Sequence, residues 1–179
     1  MDSNQHESAG AGAPSPWVIR FGEKIVAQGS VLDVACGRGR HAQWFAARGH
    51  AVTAVDRDAM NAILPGVTFI EADIETGPWL FAGQTFDCVV VTNYLHRPHF
   101  PHLLAAVKHG GWLIYETFAV GNEQYGRPTR PDFLLKPGEL LEVVCATHGT
   151  FEIAAYEHGY MEFPKPAVVQ RIAAWRAPL

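Results

Sequence analysis

Val31-Leu32-Asp33-Val34-Ala35-Cys36-Gly37-Arg38-Gly39-Arg40 is the stretch whose reading decides the fold. An apolar run of strand length meets two glycines one residue apart, and a helical pattern opens directly behind them. That order describes a buried strand ending in a tight turn, where backbone can approach a ligand closely. Asp56 follows seventeen residues after Gly39, at the end of the next apolar run, Ala51 to Val55. A carboxylate at that place can accept both hydroxyls of a ribose. The first two strands therefore propose a nucleoside-containing cofactor at their carboxyl ends, where open α/β sheets bind ligands.

Outward from this core, strand-like and helix-like segments alternate, as in a parallel sheet covered on both faces. Expected helices are Trp17 to Gln28, His41 to Arg48, His99 to His109 and Gly138 to His148. Expected strands beyond the first two are Val67 to Ile70, Phe86 to Thr92, Trp112 to Thr117, Phe151 to Tyr156 and Val168 to Trp175. The link Gly159–Pro166 is too short for a helical crossover, so the last two strands form an antiparallel hairpin. The fold class read from this pattern is a Rossmann-like α/β domain with a seven-stranded, mostly parallel sheet. A Ser/Gly/Ala-rich tail, Met1–Ser15, precedes a single domain over residues 16–179, and a Pro/Gly-rich loop, Phe118–Pro137, interrupts it.

Composition narrows the classes. With 48% hydrophobic and 18% charged residues in 179, the chain has the apolar content of a folded domain and too little charge for a disordered one. A net charge of −4 gives no basic footprint for nucleic acid. The start of the chain lacks a signal peptide's basic and apolar regions, and no apolar stretch is long enough to span a membrane, so a cytoplasmic protein is expected. Cys36, Cys88 and Cys145 are too scattered for a disulfide framework or a zinc knuckle. His96, His99 and His102 are separated by Pro98 and Pro101 and have no nearby carboxylate, so no metal site is expected.

Gly37-x-Gly39-x-x-Ala42 also fits the loosened dinucleotide fingerprint, a weak signal alone. Two carboxylates favour another cofactor. Asp33, inside the strand, suits an ammonium and would repel a pyrophosphate. Asp73, after the third strand, suits an adenine amino group. With Leu32–Asp58, Glu71–Glu75, Phe86–Leu95 and Gly110–Phe118, the sequence resembles the class I S-adenosylmethionine-dependent methyltransferases over nearly its whole length. The segments Gly121–Glu123, Tyr125–Pro128 and Phe133–Leu140 are similar to the small bacterial tellurite-resistance methyltransferases within that class. The resemblance implies S-adenosylmethionine as cofactor. It implies that Asp33, Gly37 and Gly39 cradle the methionine portion, Asp56 binds the ribose and Arg57 flanks the adenine. It further implies that Asp73 and Ile74 hold the adenine edge, while the backbone at Thr92 and Asn93 meets the methionine end. The third glycine of the fullest motif is missing here.

For a small-molecule acceptor, His96 beyond the fourth strand is the candidate base, with Tyr94 orienting. Arg97, Glu116, Tyr125, Arg127 and Arg130 are candidate substrate contacts, and the 118–137 loop reads as a substrate lid or a structural cover. His41 reads as a solvent or cofactor-edge residue. From Cys88 to Tyr115 there is no Asp or Glu, while Arg97, Lys108 and four histidines lie there. That distribution suggests a cationic mouth and an anionic or soft acceptor such as a thiol or a chalcogen oxyanion. Two other functions stay open: an NAD-linked oxidoreductase, and a non-catalytic S-adenosylmethionine-binding protein.

Overall fold

In a computed structural model, residues 12–60 and 64–178 are described. The first eleven residues of the expected Met1–Ser15 tail lie outside them. Ser15 itself is buried and is the N-cap of α1 (Pro16–Gly22), its hydroxyl accepting from the Trp17 N–H.

Seven strands follow: β1 (Ser30–Val34), β2 (Ala51–Asp56), β3 (Val67–Glu71), β4 (Phe86–Thr92), β5 (Val107–Phe118), β6 (Phe151–Met161) and β7 (Ala167–Arg176). They form one sheet in the order β3-β2-β1-β4-β5-β7-β6. The first five are parallel, and β7 lies antiparallel between β5 and β6. The expected seven-stranded sheet with its terminal hairpin holds.

Period-2 alternation divides the core. Val31, Cys88, Val90, Ile114 and Ala173 pack with Trp17, Phe21 and Phe45 from α1 and α2 (Arg40–Ala46). Leu32, Val34, Val89, Tyr115 and Ile172 pack on the other face, with Leu103 from α3 (Phe100–Ala106) and Leu140 from α4 (Glu139–Cys145). Both faces are thus covered, which is why the central strands are predominantly apolar.

The helices are shorter than their patterns suggest. α1 stops at Gly22, with Glu23 as C-cap, so Ile25 joins the same core from a turn. The expected His99–His109 helix is split: a 3-10 turn occupies Arg97–His99, and α3 ends at Ala106 because Val107 already pairs with Phe86 in β5. Pairing to the neighbouring strand wins over helical periodicity there. Chain order reverses between β1 and β4, which lie side by side with connections running to opposite halves of the sheet, opening a crevice at their carboxyl ends.

Candidate active site

A cavity of about 470 Å³ occupies that crevice, a volume suited to a small-molecule site. Its walls come from the ends of β1 to β4: Ala35 and Gly37, Asp56 to Asp58, Ala72 to Glu75, and Asn93 to Leu95. Thr117 and Phe118 from β5, with Pro128 and Phe133 from the following loop, complete it.

The turn after β1 is built by backbone conformation. Ala35, Gly37 and Gly39 all have positive φ, at 52°, 57° and 72°. Glycine carries this freely, whereas Ala35 is strained; Asn93, at the end of the neighbouring strand β4, also has a positive φ of 55°. Two non-glycine residues in left-handed conformation thus flank one crevice. Asn93 was an expected site residue. Ala35 was not, because alanine gives no sequence sign of positive φ.

Asp56 organises the floor. Its Oδ2 accepts from the Gly37 N–H at 2.7 Å and its Oδ1 from the Asp58 N–H at 3.0 Å, tying the ends of β1 and β2 together. Arg57 lines the cavity, its Nε 3.4 Å from the Asp58 carboxylate. Asp73 also reaches the wall, but its carboxylate caps its own turn, accepting from the Glu75 N–H, the Thr76 N–H and the Thr76 hydroxyl at 2.7 Å. These bonds hold it below the usual carboxylate range. The edge-binding role implied for Asp73 competes with this turn, whereas its neighbour Ile74 is buried against the cavity.

Asp33 is fully buried on the α2 face of β1. One oxygen accepts from the Ala42 N–H at 3.0 Å and the other, Oδ1, has no partner. Burial dominates and pushes its carboxyl up to about 7, with the Ala42 bond and Arg40 opposing. Gly39, also behind the wall, packs against Leu64.

Thr92 is buried behind Asn93, its hydroxyl 3.3 Å from His41 Nδ1. The Ser15 N–H donates to His41 Nε2 at 3.1 Å, so Nδ1 carries the ring proton and donates to Thr92. Far from being a solvent or cofactor-edge residue, His41 is wholly buried, and burial drives its pKa down to about 3. It links the segment before α1 to the end of β4. The Asn93 N–H is spent on the Glu116 carbonyl at 2.9 Å.

The expected acceptor-binding residues divide. Tyr94 lines the cavity. His96 stands just outside it, Nδ1 3.8 Å from Glu75 Oε2. Arg97 is no free cation. Its guanidinium makes two bonds to the Glu139 carboxylate, at 2.6 and 2.9 Å, and two to the carbonyls of Asp132 and Leu134. Glu116 lies across the β5–β7 ladder from Arg171, with Oε2 3.0 Å from Nε, and both side chains are largely buried. Tyr125 packs on Tyr160 with ring centroids 5.0 Å apart, Arg127 is exposed, and Arg130 pairs with Asp132 while lying over Phe133. None of these five lines the cavity. Instead Pro128 and Phe133 do, from the same loop.

That loop is fastened at its base. Phe118 O and Val120 N bond Leu135, Asn122 bonds Pro128 and Val168, and Gln170 of β7 donates to the Lys136 carbonyl. The cationic mouth dissolves accordingly: the cavity is lined by four carboxylates (Asp56, Asp58, Asp73 and Glu75) and one guanidinium, Arg57. Among the described residues no group of three or more His, Cys, Asp or Glu is placed to hold a metal ion. No described helix is long and apolar enough to cross a membrane.

Solved structures share this architecture. TehB from Haemophilus influenzae matches at TM-score 0.68 with 17% identity, covering 88% of this chain but only 61% of that one. A TehB-like S-adenosylmethionine-dependent methyltransferase from Corynebacterium glutamicum matches at 0.62 with 18% identity, covering 89% and 86%. The Burkholderia thailandensis 1,6-didemethyltoxoflavin-N1-methyltransferase, solved with bound 1,6-didemethyltoxoflavin and S-adenosylhomocysteine, matches at 0.60 with 17% identity, covering 90% and 75%. No functionally curated protein matches the sequence. At these identities the likeness is one of fold. The family model described as "Methyltransferase domain" matches residues 6–130, well over half of the chain. This chain belongs to the methyltransferase-domain family.

Proposed function

We propose that this protein is an S-adenosylmethionine-dependent methyltransferase acting on a small molecule. The observation that carries the reading is the cavity at the β1/β4 reversal, with Asp56 and the Gly37 turn joined at 2.7 Å on its floor. The residues fit the cofactor. The unpartnered Oδ1 of Asp33, just behind the cavity wall, is a buried polar atom lacking a donor, and an ammonium-bearing ligand in the crevice would favour its ionised form. Asp56 faces the cavity where ribose hydroxyls need an acceptor, with Arg57 and Ile74 beside it for the adenine. S-adenosylmethionine brings a methyl group already activated on a sulfonium. The chain's contribution is to hold an acceptor in line with it, an alignment worth on the order of 7–11 kcal/mol.

Tyr94, Leu95, Phe118 and Phe133 form the apolar and phenolic part of the wall, where an acceptor fits. The 118–137 loop acts as a cover fixed at its base, with Phe133 over the cavity. The acidic lining does not favour the anionic acceptor expected from sequence. NAD chemistry is disfavoured for the same reason, since a pyrophosphate meets carboxylates on this floor. Incubation with methyl-labelled cofactor and a panel of thiols, oxyanions, phenols and amines tests the proposal. Label in product supports it; cofactor binding without transfer to any acceptor favours the non-catalytic reading.

A further inference from the structure

Behind Tyr94 stands a group of polar aromatic side chains that methylation of a thiolate or an oxyanion does not require. Tyr94 Oη lies 3.2 Å from His99 Nδ1. His99 is only 5% exposed, its ring packed against Trp79 at 5.3 Å and His96 at 4.5 Å between centroids. Burial and the neighbouring His96 lower the proton affinity of His99, while the Ile74 carbonyl raises it. In the neutral tautomer protonated on Nε2, Nδ1 is free to accept from the phenol. The charged and titratable groups facing His99 are His96 of its own turn, His102 of α3, Glu75 of the loop after β3, and Tyr94. Tyr94 is faced by Glu75, Asp73 and Asp56, which together with burial keep its phenol protonated. The phenol's single proton has two acceptors within reach, the Glu75 carboxylate and His99 Nδ1. Turned inward it donates to a neutral imidazole, and its oxygen lone pairs are left to accept a proton from the cavity side.

We infer that Tyr94 and His99 form a proton relay for an acceptor that loses an O–H or N–H proton on methylation. The inference rests on the methyltransferase reading and names its substrate class. The four carboxylates on the cavity wall agree, since they accommodate a neutral or cationic acceptor and repel an anionic one. The step balances. As the acceptor's lone pair bonds the methyl carbon, the sulfur keeps the electron pair of the bond that breaks. The acceptor's proton passes to Tyr94 Oη while Tyr94's own proton moves to His99 Nδ1, so the positive charge leaving the sulfonium appears on the imidazole. Tyr94 is the catalytic residue here. His99 acts through it, and His96 pairs with Glu75 beside them.

The test compares wild type with Tyr94→Phe and His99→Asn, whose amide oxygen can accept the phenol's bond but takes no proton. Methyl transfer to phenols, amines and thiols is followed from pH 5.5 to 9, alongside calorimetry with S-adenosylhomocysteine. Imidazole nitrogen NMR of the unliganded proteins supplies a readout independent of turnover. The relay predicts transfer to a phenol or amine, with kcat falling on the order of 100-fold in both variants at neutral pH. KM and S-adenosylhomocysteine affinity stay within about twofold, and the deficit shrinks at high pH as the acceptor ionises unaided. The His99 signal shows an unprotonated Nδ1 that shifts in Tyr94→Phe. Transfer confined to thiols, or full kcat in His99→Asn on a protic acceptor at pH 7, overturns the relay and leaves the methyltransferase reading standing. Absence of cofactor and product binding overturns both.

Discussion

Asp33→Asn perturbs the most unusual charge in the molecule. Asp33 is fully buried, bonded through one oxygen to the Ala42 N–H and unpartnered at the other, and its carboxyl is pushed from 3.8 up to about 7. In the unfolded chain it ionises near 3.8, whereas in the unliganded fold it stays protonated to near neutrality. The folded state therefore binds the extra proton between about pH 4 and pH 7, and stability falls as pH rises through that window. At ~1.4 kcal/mol per pH unit the destabilisation is on the order of 4 kcal/mol above pH 7, and it is absent below pH 4. Asparagine keeps the Ala42 bond and never ionises. Its amide NH₂ is as orphaned as Oδ1 is now, so that deficit cancels. His41, whose pKa is lowered to about 3, works in the opposite sense, costing stability as pH falls below 6.5. The wild-type curve alone is thus ambiguous, and the difference between wild type and Asp33→Asn isolates the carboxylate. Urea unfolding without ligand is expected to show the variant gaining about 2–4 kcal/mol on wild type between pH 5 and 8, while binding S-adenosylmethionine more weakly. A difference that stays flat across that range refutes the argument.

Arg97→Ala removes four bonds that fasten the cover loop and α4, so a loss of about 1–3 kcal/mol in thermal unfolding is expected, with faster tryptic cleavage at Arg127 or Arg130. An unchanged melting temperature and cleavage rate would count against the clamp. Gly39→Ala places a methyl group against Leu64 at φ 72°, and calorimetry should show at least a tenfold loss of cofactor affinity; an unaltered affinity contradicts the turn's role. Glu116→Gln removes the buried charge opposite Arg171 in the β5–β7 ladder, leaving the guanidinium only the more exposed Glu157 at 3.4 Å, and is expected to lower unfolding stability by about 1–3 kcal/mol. Acceptor KM should not move; a rise in KM with stability intact restores Glu116 as a substrate residue.

The sheet was legible because each of its signals is local: apolar runs of strand length, glycines at the β1 turn, and a link between the last two strands too short for a crossover. Asp56 and Tyr94 followed from that frame and Arg57 and Ile74 from the family resemblance, and all four line the crevice just past the carboxyl ends of β2 to β4. The charge pattern misled for a physical reason. A run without acidic residues says nothing about partners distant in sequence, and Arg97 meets Glu139 while Glu116 meets Arg171 only once the sheet closes. The helix ends depended likewise on pairing, as Val107 illustrates by leaving α3 for β5. Ala35 carries no sequence mark, and the histidine spacing that includes His99 gives no sign of its phenol partner. One is revealed by its φ of 52°, the other by a phenol 3.2 Å away.

Calorimetric titration of the protein with S-adenosylmethionine, alongside NAD, bears most directly on the cavity as a cofactor site. Saturable binding of one S-adenosylmethionine per chain is expected, at least tenfold weaker in Asp56→Ala, with NAD producing no comparable heat. Tighter binding of NAD, or S-adenosylmethionine binding that Asp56→Ala leaves intact, would contradict it.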